Sequence, residues 1–326
     1  MPSAIPREKM RRATYRTPCP ICDHRRWCGI SQDGAIVICM RRSDGAVSEA
    51  KNGGWVHRLK DTQPAFAPIR TPVPQPSIAS IERRDIAYSA LLDRLPLSLR
   101  HSDDLSERGL ADTEVARHRY ATAPNARTAR IVSAELAERF DLSNVPGFFC
   151  SGDEWRLNLS DWHAGILIPV RDVEQRIQAL QIRRDNGDPR YVWFSSANKL
   201  GGASSGSPIH FARPWRVRSQ CECVVTEGPL KADIVAQQLD VCVAAVAGVG
   251  SFGENFGHWL RQQLPDLNAA LIAFDSDWKT KPEVERAMVR LARSLQAAGL
   301  GWDAATWDAR FKGLDDYLTE VARCKA

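Results

Sequence analysis

From Cys223 onward, strand-sized apolar runs alternate with amphipathic segments, and few folds accommodate that rhythm. Cys223–Thr226 reads as a strand, Pro229–Leu239 as a helix and Val241–Val246 as a strand. Glu254–Leu264 reads as a helix, Ala270–Phe274 as a strand, Pro282–Ala298 as a helix and Ala304–Trp307 as a short strand. Such alternation gives an α/β architecture, a mainly parallel sheet with right-handed crossovers. Ligands of parallel sheets collect beyond the carboxyl ends of the strands, and acidic residues stand there in this sequence. Glu227 follows the strand VVT, and Asp275 and Asp277 follow AALIAF. Two residues apart in extended backbone, the aspartates point to one side and can share a cation. Asp315 and Asp316, in KGLDDYL, follow the last strand and offer further ligands. Hard oxygen donors of this kind suit Mg2+ or Mn2+.

The other end of the chain carries a different chemistry. Cys19, Cys22, Cys28 and Cys39 cluster in the head, while the other five of the nine cysteines are scattered. Cys-x-x-Cys lets two thiolates from one tight turn meet a tetrahedral metal, and Cys28 and Cys39 bracket a turn at Asp33–Gly34 with an apolar strand after it. This predicts a zinc ribbon, with His24 and His57 as possible substitute ligands. So short a segment has little core of its own, and a structural Zn2+ would supply much of its folding energy. Residues 1–60 hold 12 Lys or Arg against 5 Asp or Glu, whereas the remaining 266 residues are nearly balanced. Arg25, Arg26, Trp27, Arg41 and Arg42 surround the cysteines; cations that neutralise phosphates beside an aromatic that can stack on an unpaired base point to a nucleic-acid partner. The competing reading makes Trp27 and Trp55 the ribbon's small core.

Residues 61–80 contain five prolines and little helix or strand pattern, so they read as a semi-extended linker. The expected organisation is 1–60 zinc ribbon, 61–80 linker, 81–215 a mixed α+β region and 216–326 the parallel-sheet domain. Residues 81–142 read as helices carried by IAYSALLDRL, ERGLADTEVARHRY and SAELAERF, and AGILIPV and RIQALQIR as two strands across a turn at Arg171–Gln175. No apolar run is long enough to span a bilayer, and the basic first residues lead into no apolar stretch, which predicts a cytoplasmic protein without a secretory signal.

The wording TEGPLKAD, AGVGSFG, AFDSD and KGLDDYL resembles the Toprim fold of bacterial and phage primases, topoisomerases and some nucleases, and most closely the Toprim-like domains of phage and plasmid replication proteins. AGILIPVRDVEQRIQALQIRRDNGDPRYVWFSS resembles the stretch that precedes Toprim in primases, and such primases also carry a zinc domain. The resemblance touches residues 19–58 and about 160–318. It implies that Glu227, Asp275 and Asp277 form a magnesium site for phosphoryl transfer, with Glu227 binding metal or accepting a proton. It also makes Lys231, Arg183, Arg184 and Lys199 candidates for contacts with nucleotide or template. Lys231 stands where the cellular bacterial primase has a second acidic residue, and the all-cysteine ribbon differs from that primase's Cys-His-Cys-Cys pattern. The implied activity is synthesis of short RNA primers from ribonucleotides on single-stranded DNA during phage or plasmid replication.

Three rival readings follow from the same residues. Gly248-Val-Gly-Ser-Phe-Gly253 fits a dinucleotide fingerprint, but that reading leaves Glu227 and Asp277 without a role. A nucleic-acid-binding replication accessory whose Toprim site is silent is favoured by Lys231. A Toprim nuclease would use the same acidic site. No G-x-x-x-x-G-K-[ST] occurs, so a replicative helicase would come from another chain.

Overall fold

The computed structural model describes residues 10–50, 53–59, 78–248, 250–276 and 281–325. Most of the expected linker, residues 61–77, lies outside the described residues, as does Asp277. The chain forms two compact units, Met1–Val73 and Pro74–Ala326.

The first unit is a small antiparallel sheet. Its strands are β1 (Arg11–Arg12), β2 (Gly29–Ile30), β3 (Ile36–Cys39), β4 (Ser48–Glu49) and β5 (Trp55–Arg58), in the order β1-β2-β3-β5-β4. The expected turn between β2 and β3 is held by Asp33, whose Oδ1 accepts from the Ser31 hydroxyl at 2.6 Å and the Ala35 amide at 3.0 Å. The core of this unit is Ala13, Ile30 and Val37 together with the buried cysteines Cys19, Cys28 and Cys39. Half of the residues in that core are cysteines, so a metal bound by them would contribute much of the unit's stability.

The second unit begins with four helices, α1 (Ile81–Asp93), α2 (Leu99–Glu107), α3 (Asp112–His118) and α4 (Ala126–Ala137), with the short strand β6 (Ala121–Thr122) before α4. The run ERGLADTEVARHRY, expected to be a single helix, breaks into a helix end, a turn and α3. Gly109 sits at φ +93, and a Cβ there would lie 2.6 Å from Thr319 Oγ1, so the chain turns where Thr319 packs against it. The α4 helix starts well before SAELAERF because Asn125 Oδ1 caps it, accepting from the Thr128 amide at 2.9 Å. A hairpin the periodicity did not indicate, β7 (Phe148–Ser151) and β8 (Glu154–Leu157), follows. The expected strand pair then appears as β9 (Gly165–Arg171) and β10 (Ile177–Arg184), with β11 (Tyr191–Trp193) on the outer side, in an antiparallel sheet of order β11-β10-β9-β6.

The near-continuous apolar run of β9 is explained by burial on both faces. Leu167 packs with Tyr88, Leu91, Val132 and Leu136 of α1 and α4. Ile166 and Ile168, on the opposite face, pack with Leu105, Leu110 and Val115 and with Leu230 and Ile234 of a helix from the last region. That shared core joins the two regions of the second unit.

The last region is the expected α/β sheet. Its elements are β12 (His210–Ala212), α5 (Val217–Gln220), β13 (Glu222–Glu227), α6 (Pro229–Leu239), β14 (Cys242–Val246), α7 (Phe256–Gln263), β15 (Ala269–Ala273), α8 (Pro282–Ala297), β16 (Gly301–Ala304) and α9 (Leu314–Lys325). The strand order is β12-β14-β13-β15-β16, parallel except for the edge strand β12. The division expected between residues 215 and 216 therefore falls after a strand that already belongs to this sheet. The last strand lies earlier than Ala304–Trp307, because Gly301–Ala304 is the segment in register with Ala269–Ile272. The α7 and α8 helices cover one face, with Phe256, Leu260, Leu291 and Leu295 over Val225, Ala244 and Ile272. The α6 and α9 helices cover the other, with Ala232, Val235 and Leu314 over Val224, Val243 and Ala273.

A buried charge fastens α6 to its surroundings. Asp233 is fully enclosed; its Oδ1 lies 3.0 Å from His210 Nε2 and 3.2 Å from His118 Nδ1, and its Oδ2 accepts from the Tyr120 hydroxyl. His210 Nδ1 accepts from the Arg171 amide, so the proton of the neutral ring is on Nε2, facing Asp233. Burial pushes the Asp233 carboxyl up, but the two imidazoles and the phenol outweigh it and hold the group below its ordinary value. Its contribution to stability is therefore present above the ordinary carboxylate pKa and is lost as pH falls through the lower native value. Asp233→Ala leaves three buried groups without their acceptor and is expected to cost about 3–5 kcal/mol in urea unfolding; a loss below ~1 kcal/mol would show that the cluster is not a fastening.

Candidate functional site

The four cysteines of the head converge. Cys19 and Cys22 share a turn closed by the Asp23 amide donating to the Cys19 carbonyl at 2.8 Å, Cys28 immediately precedes β2, and Cys39 ends β3. Their Sγ atoms all lie within 4.8 Å of one another, with Cys22 and Cys28 3.7 Å apart. Thiolates about 2.3 Å from a tetrahedral ion stand about 3.8 Å apart, so the donor set fits zinc. All nine cysteines are free thiols. The Met40 and Arg42 amides donate to the sulfurs of Cys28 and Cys39 at 3.5 and 3.4 Å, which orients them. Burial pushes the Cys28 thiol up to about 12, a cost that a bound cation reverses by stabilising the thiolate. His57, weighed as a substitute ligand, is instead buried with Nε2 2.9 Å from the Arg42 carbonyl, and His24 is not part of the cluster.

Around this cluster the surface is cationic and aromatic. Arg25, Arg26, Arg41 and Arg42 are exposed, and Trp27 is 69% exposed rather than packed in the core. Tyr15, 79% exposed, lies with its ring 3.9 Å beneath the Arg25 guanidinium. Tyr15 was not indicated by the cysteine spacing, since it lies before the first ligand.

The acidic residues stand at the carboxyl ends of the strands of the last sheet, and among the described residues they form no compact ligand cluster like that of the cysteines. In the last sheet, β13 is flanked by β14 and β15, so the chain crosses to opposite sides of β13 and leaves a crevice beyond the carboxyl ends of β13 and β15. Thr226 is in register with Ala273, which places Glu227 at the end of β13 and Asp275 just beyond β15. Lys231, in the first turn of α6, pairs with Asp275 Oδ1, and Lys312 Nζ lies 3.2 Å from Asp275 Oδ2. The loop carrying Asp275 is tied to the segment before α9: the Ser276 amide donates to the Lys312 carbonyl at 2.8 Å and its hydroxyl to the Phe311 carbonyl at 3.0 Å.

Asp315 and Asp316, expected after the last strand, lie in the first turn of α9. Asp315 is 3% exposed and its Oδ1 has no hydrogen-bond partner, while Asp316 Oδ2 accepts from the Gly313 amide at 3.4 Å. Burial pushes the Asp315 carboxyl up, and Asp316 and Asp275 add to this while Lys231 opposes it. Burial alone would lower the Lys231 ammonium, yet Asp275, Asp315 and Glu227 together hold it above its ordinary value. The oxygen donors of Glu227, Asp275 and Asp315 fit a hard divalent cation in chemistry, and the orphaned Asp315 oxygen is the kind of atom such an ion satisfies.

The remaining candidates stand apart from this crevice. Arg183 is buried and paired with Asp104 of α2. Arg184 is buried with its guanidinium 3.8 Å from the centre of the Trp162 ring and its Nε donating to the Trp162 carbonyl at 2.7 Å. Lys199 is exposed, its ammonium 4.0 Å from the centre of the Phe149 ring. Arg183 lines a cleft of about 450 Å³ with Arg100, His101, Asp104, Asp185 and Arg190. Lys312 was quoted in the sequence as part of KGLDDYL without a role; only the fold brings it to Asp275.

Residues 214–323 match a family model described as a domain of unknown function, DUF3854. No curated protein matches the chain. Among solved structures, the fold is similar to the zinc-binding and RNA polymerase domains of the Aquifex aeolicus primase, with a TM-score of 0.57 and 15% identity over 76% of this chain and 61% of that one. It is also similar to the RNA polymerase domain of the Mycobacterium tuberculosis primase DnaG, with a TM-score of 0.55 and 17% identity over 75% of this chain and 84% of that one. A DnaG primase catalytic domain bound to ssDNA gives 0.52 and 15% identity over 75% of each chain. The mixed α/β fold thus resembles that of primase catalytic cores, in a chain that also holds a four-cysteine cluster able to bind zinc. No helix among the described residues is long and apolar enough to cross a membrane.

Elemental analysis of the purified chain is expected to return one zinc, and Cys28→Ser to lose it. Loss of the metal should unfold the first unit, whose binding energy is about 10 kcal/mol or more, and leave the near-ultraviolet signal of the second unit in place. A zinc-free chain with a folded head would contradict the assignment.

Proposed function

We propose that this chain is a primase-like nucleotidyltransferase that makes short RNA primers on single-stranded DNA, in phage or plasmid replication. One observation carries the reading: carboxylates follow β13 and β15 at the switch point of a sheet whose fold is similar to solved structures that include a primase catalytic domain bound to ssDNA. We further propose the organisation 1–60 zinc ribbon, 61–80 linker, 81–215 primase-like region and 216–326 Toprim domain.

Glu227 and Asp275, together with Asp277 from the segment outside the described residues, would hold Mg2+ or Mn2+. When bound, the ion supplies charge neutralisation to the incoming triphosphate and its leaving pyrophosphate. Asp275 orients the site because its loop is pinned to the segment before α9. Glu227, at the open end of β13, is placed to accept the proton of an attacking 3′-hydroxyl. Lys231 and Lys312 are cations at the position where triphosphate oxygens would lie, and either can meet a phosphate as a point charge. The four-cysteine head binds zinc and presents Arg25, Arg26, Arg41 and Arg42 to the template backbone, with Trp27 exposed for stacking. Lys199, exposed in the region that precedes the acidic site, is proposed to face template or nucleotide, whereas Arg183 and Arg184, buried against Asp104 and Trp162, would shape that region from beneath. Helicase activity would come from another chain.

A second reading, a replication accessory that binds DNA without catalysis, is favoured by the two lysines that already engage both oxygens of Asp275. Incubation with Mg2+, single-stranded DNA and labelled ribonucleotides separates the two. Short RNA products are expected, and Asp275→Ala should reduce them by about 100-fold or more with DNA binding unchanged. No product on any template, with DNA binding intact, would establish the accessory; cleavage of the DNA in the same assay would establish a nuclease. Trp27→Ala is expected to weaken single-stranded DNA binding by about 1–3 kcal/mol, read by fluorescence anisotropy; unchanged affinity would remove the stacking role.

A further inference from the structure

The acidic site carries its own cation. Lys231 stands three residues after Gly228, the residue that caps α6, and so lies in the first turn of that helix. A lysine there opposes the helix dipole, which favours anions at that end. It is nonetheless three-quarters enclosed, with its side chain 26% exposed, so something stronger than the dipole holds it in place.

The partners are the carboxylates. The Lys231 ammonium takes one oxygen of Asp275 and Lys312 takes the other, at 3.2 Å. On the α9 side, a side-chain atom built on Gly313 would collide with Asp315 Oδ1 and lie 3.4 Å from Lys231 Nζ, so the absence of a side chain there leaves that space to the two charges. Asp315 is buried, and the oxygen aimed into this space has no hydrogen-bond partner. An enclosed carboxylate oxygen in that condition is stabilised by a positive field, and Lys231 supplies one: its charge opposes the upward push that burial gives Asp315.

We propose that Lys231 is a resident cation of this site: its ammonium occupies the place of a divalent ion on Asp275, so that the site takes at most one metal ion and takes it weakly. The inference rests on the reading of the crevice as a cation site. Its consequence is electrostatic. The carboxylates are partly neutralised before any ion arrives, so an incoming divalent ion must displace the ammonium from Asp275 or bind beside it against repulsion. The displaced ammonium remains on a flexible four-carbon stem next to the ion, where a phosphate oxygen can receive it.

Manganese binding to the full chain, counted by electron paramagnetic resonance with Asp275→Ala as the blank, tests this. The native chain is expected to take one ion at this site, and Lys231→Ala to bind manganese about tenfold more tightly or better. Lys231→Arg, which keeps the charge, should stay near the native affinity. In thermal unfolding, Lys231→Ala should lose midpoint temperature without metal and regain it with manganese, whereas the native chain should respond little. Should Lys231→Ala fail to fold, Lys231→Gln carries the same comparison. Equal or weaker manganese affinity in the variant overturns the resident cation and leaves the metal reading standing. No manganese on either protein overturns both, because carboxylates freed of their ammonium that still take no ion are not a cation site.

Discussion

Carboxylates gathered in a half-enclosed crevice repel one another, and the fold can hold them only with a counter-charge among them. In this chain Lys231 meets that requirement. The parallel register of β13 and β15 brings Glu227 and Asp275 to the same end of the sheet, and the packing of α9 adds Asp315 from below. Without a cation the three charges would work against the sheet that assembles them. The lysine makes the arrangement tolerable at rest and sets how strongly the site can attract anything else. Occupancy by an ammonium and occupancy by a divalent ion are competing solutions to one electrostatic problem.

The same logic recurs, with another outcome, on the far side of α6. Asp233 is as enclosed as any residue in the structure, yet it is satisfied by groups from α3, the segment before β6, and β12. One face of α6 thus holds a charge fully consumed by structure, and its first turn holds a charge shared with the crevice. The helix is the common element: Leu230 and Ile234 lie in the core that joins it to β9, so a displacement of α6 would disturb the sheet upstream and the acidic site together.

Much of this was legible in the sequence because it rests on local periodicity. The alternation after Cys223 specifies strands and helices, and an acidic residue just beyond an apolar run in a parallel sheet has few other places to be. The cysteine spacing is equally local, since two ligands share a turn and the others flank a hairpin. What could not be read were pairings across long stretches of chain. Arg183 reads as an available cation until Asp104, 79 residues away, is found against it. Asp315 and Asp316 are indistinguishable in sequence, but the first turn of α9 buries the first and leaves the second on the surface. Lys312 gains its meaning only from the loop that ties Ser276 to it. Breaks such as the turn at Gly109 depend on a contact with Thr319, which no helical pattern near residue 109 encodes.

The distribution of cations separates the two units in kind. Across the second unit, several arginines are paired with carboxylates, most of them at the surface: Arg83 with Asp141, Arg94 with Glu135, Arg130 with Glu154, Arg176 with Asp172 and Arg213 with Glu114. Those pairs neutralise their arginines locally, whereas Lys231 is held against carboxylates in the crevice. In the head, among the described residues, Arg26 and Arg41 form no ion pair, and Arg25 lies over an aromatic ring rather than a carboxylate. Charge left in water without a partner acts at a distance and is screened by salt, whereas charge held against carboxylates acts only on what enters the crevice. A long polyanion would therefore feel the head first and the crevice only by contact, and the strength of the first interaction should depend on salt far more than the second.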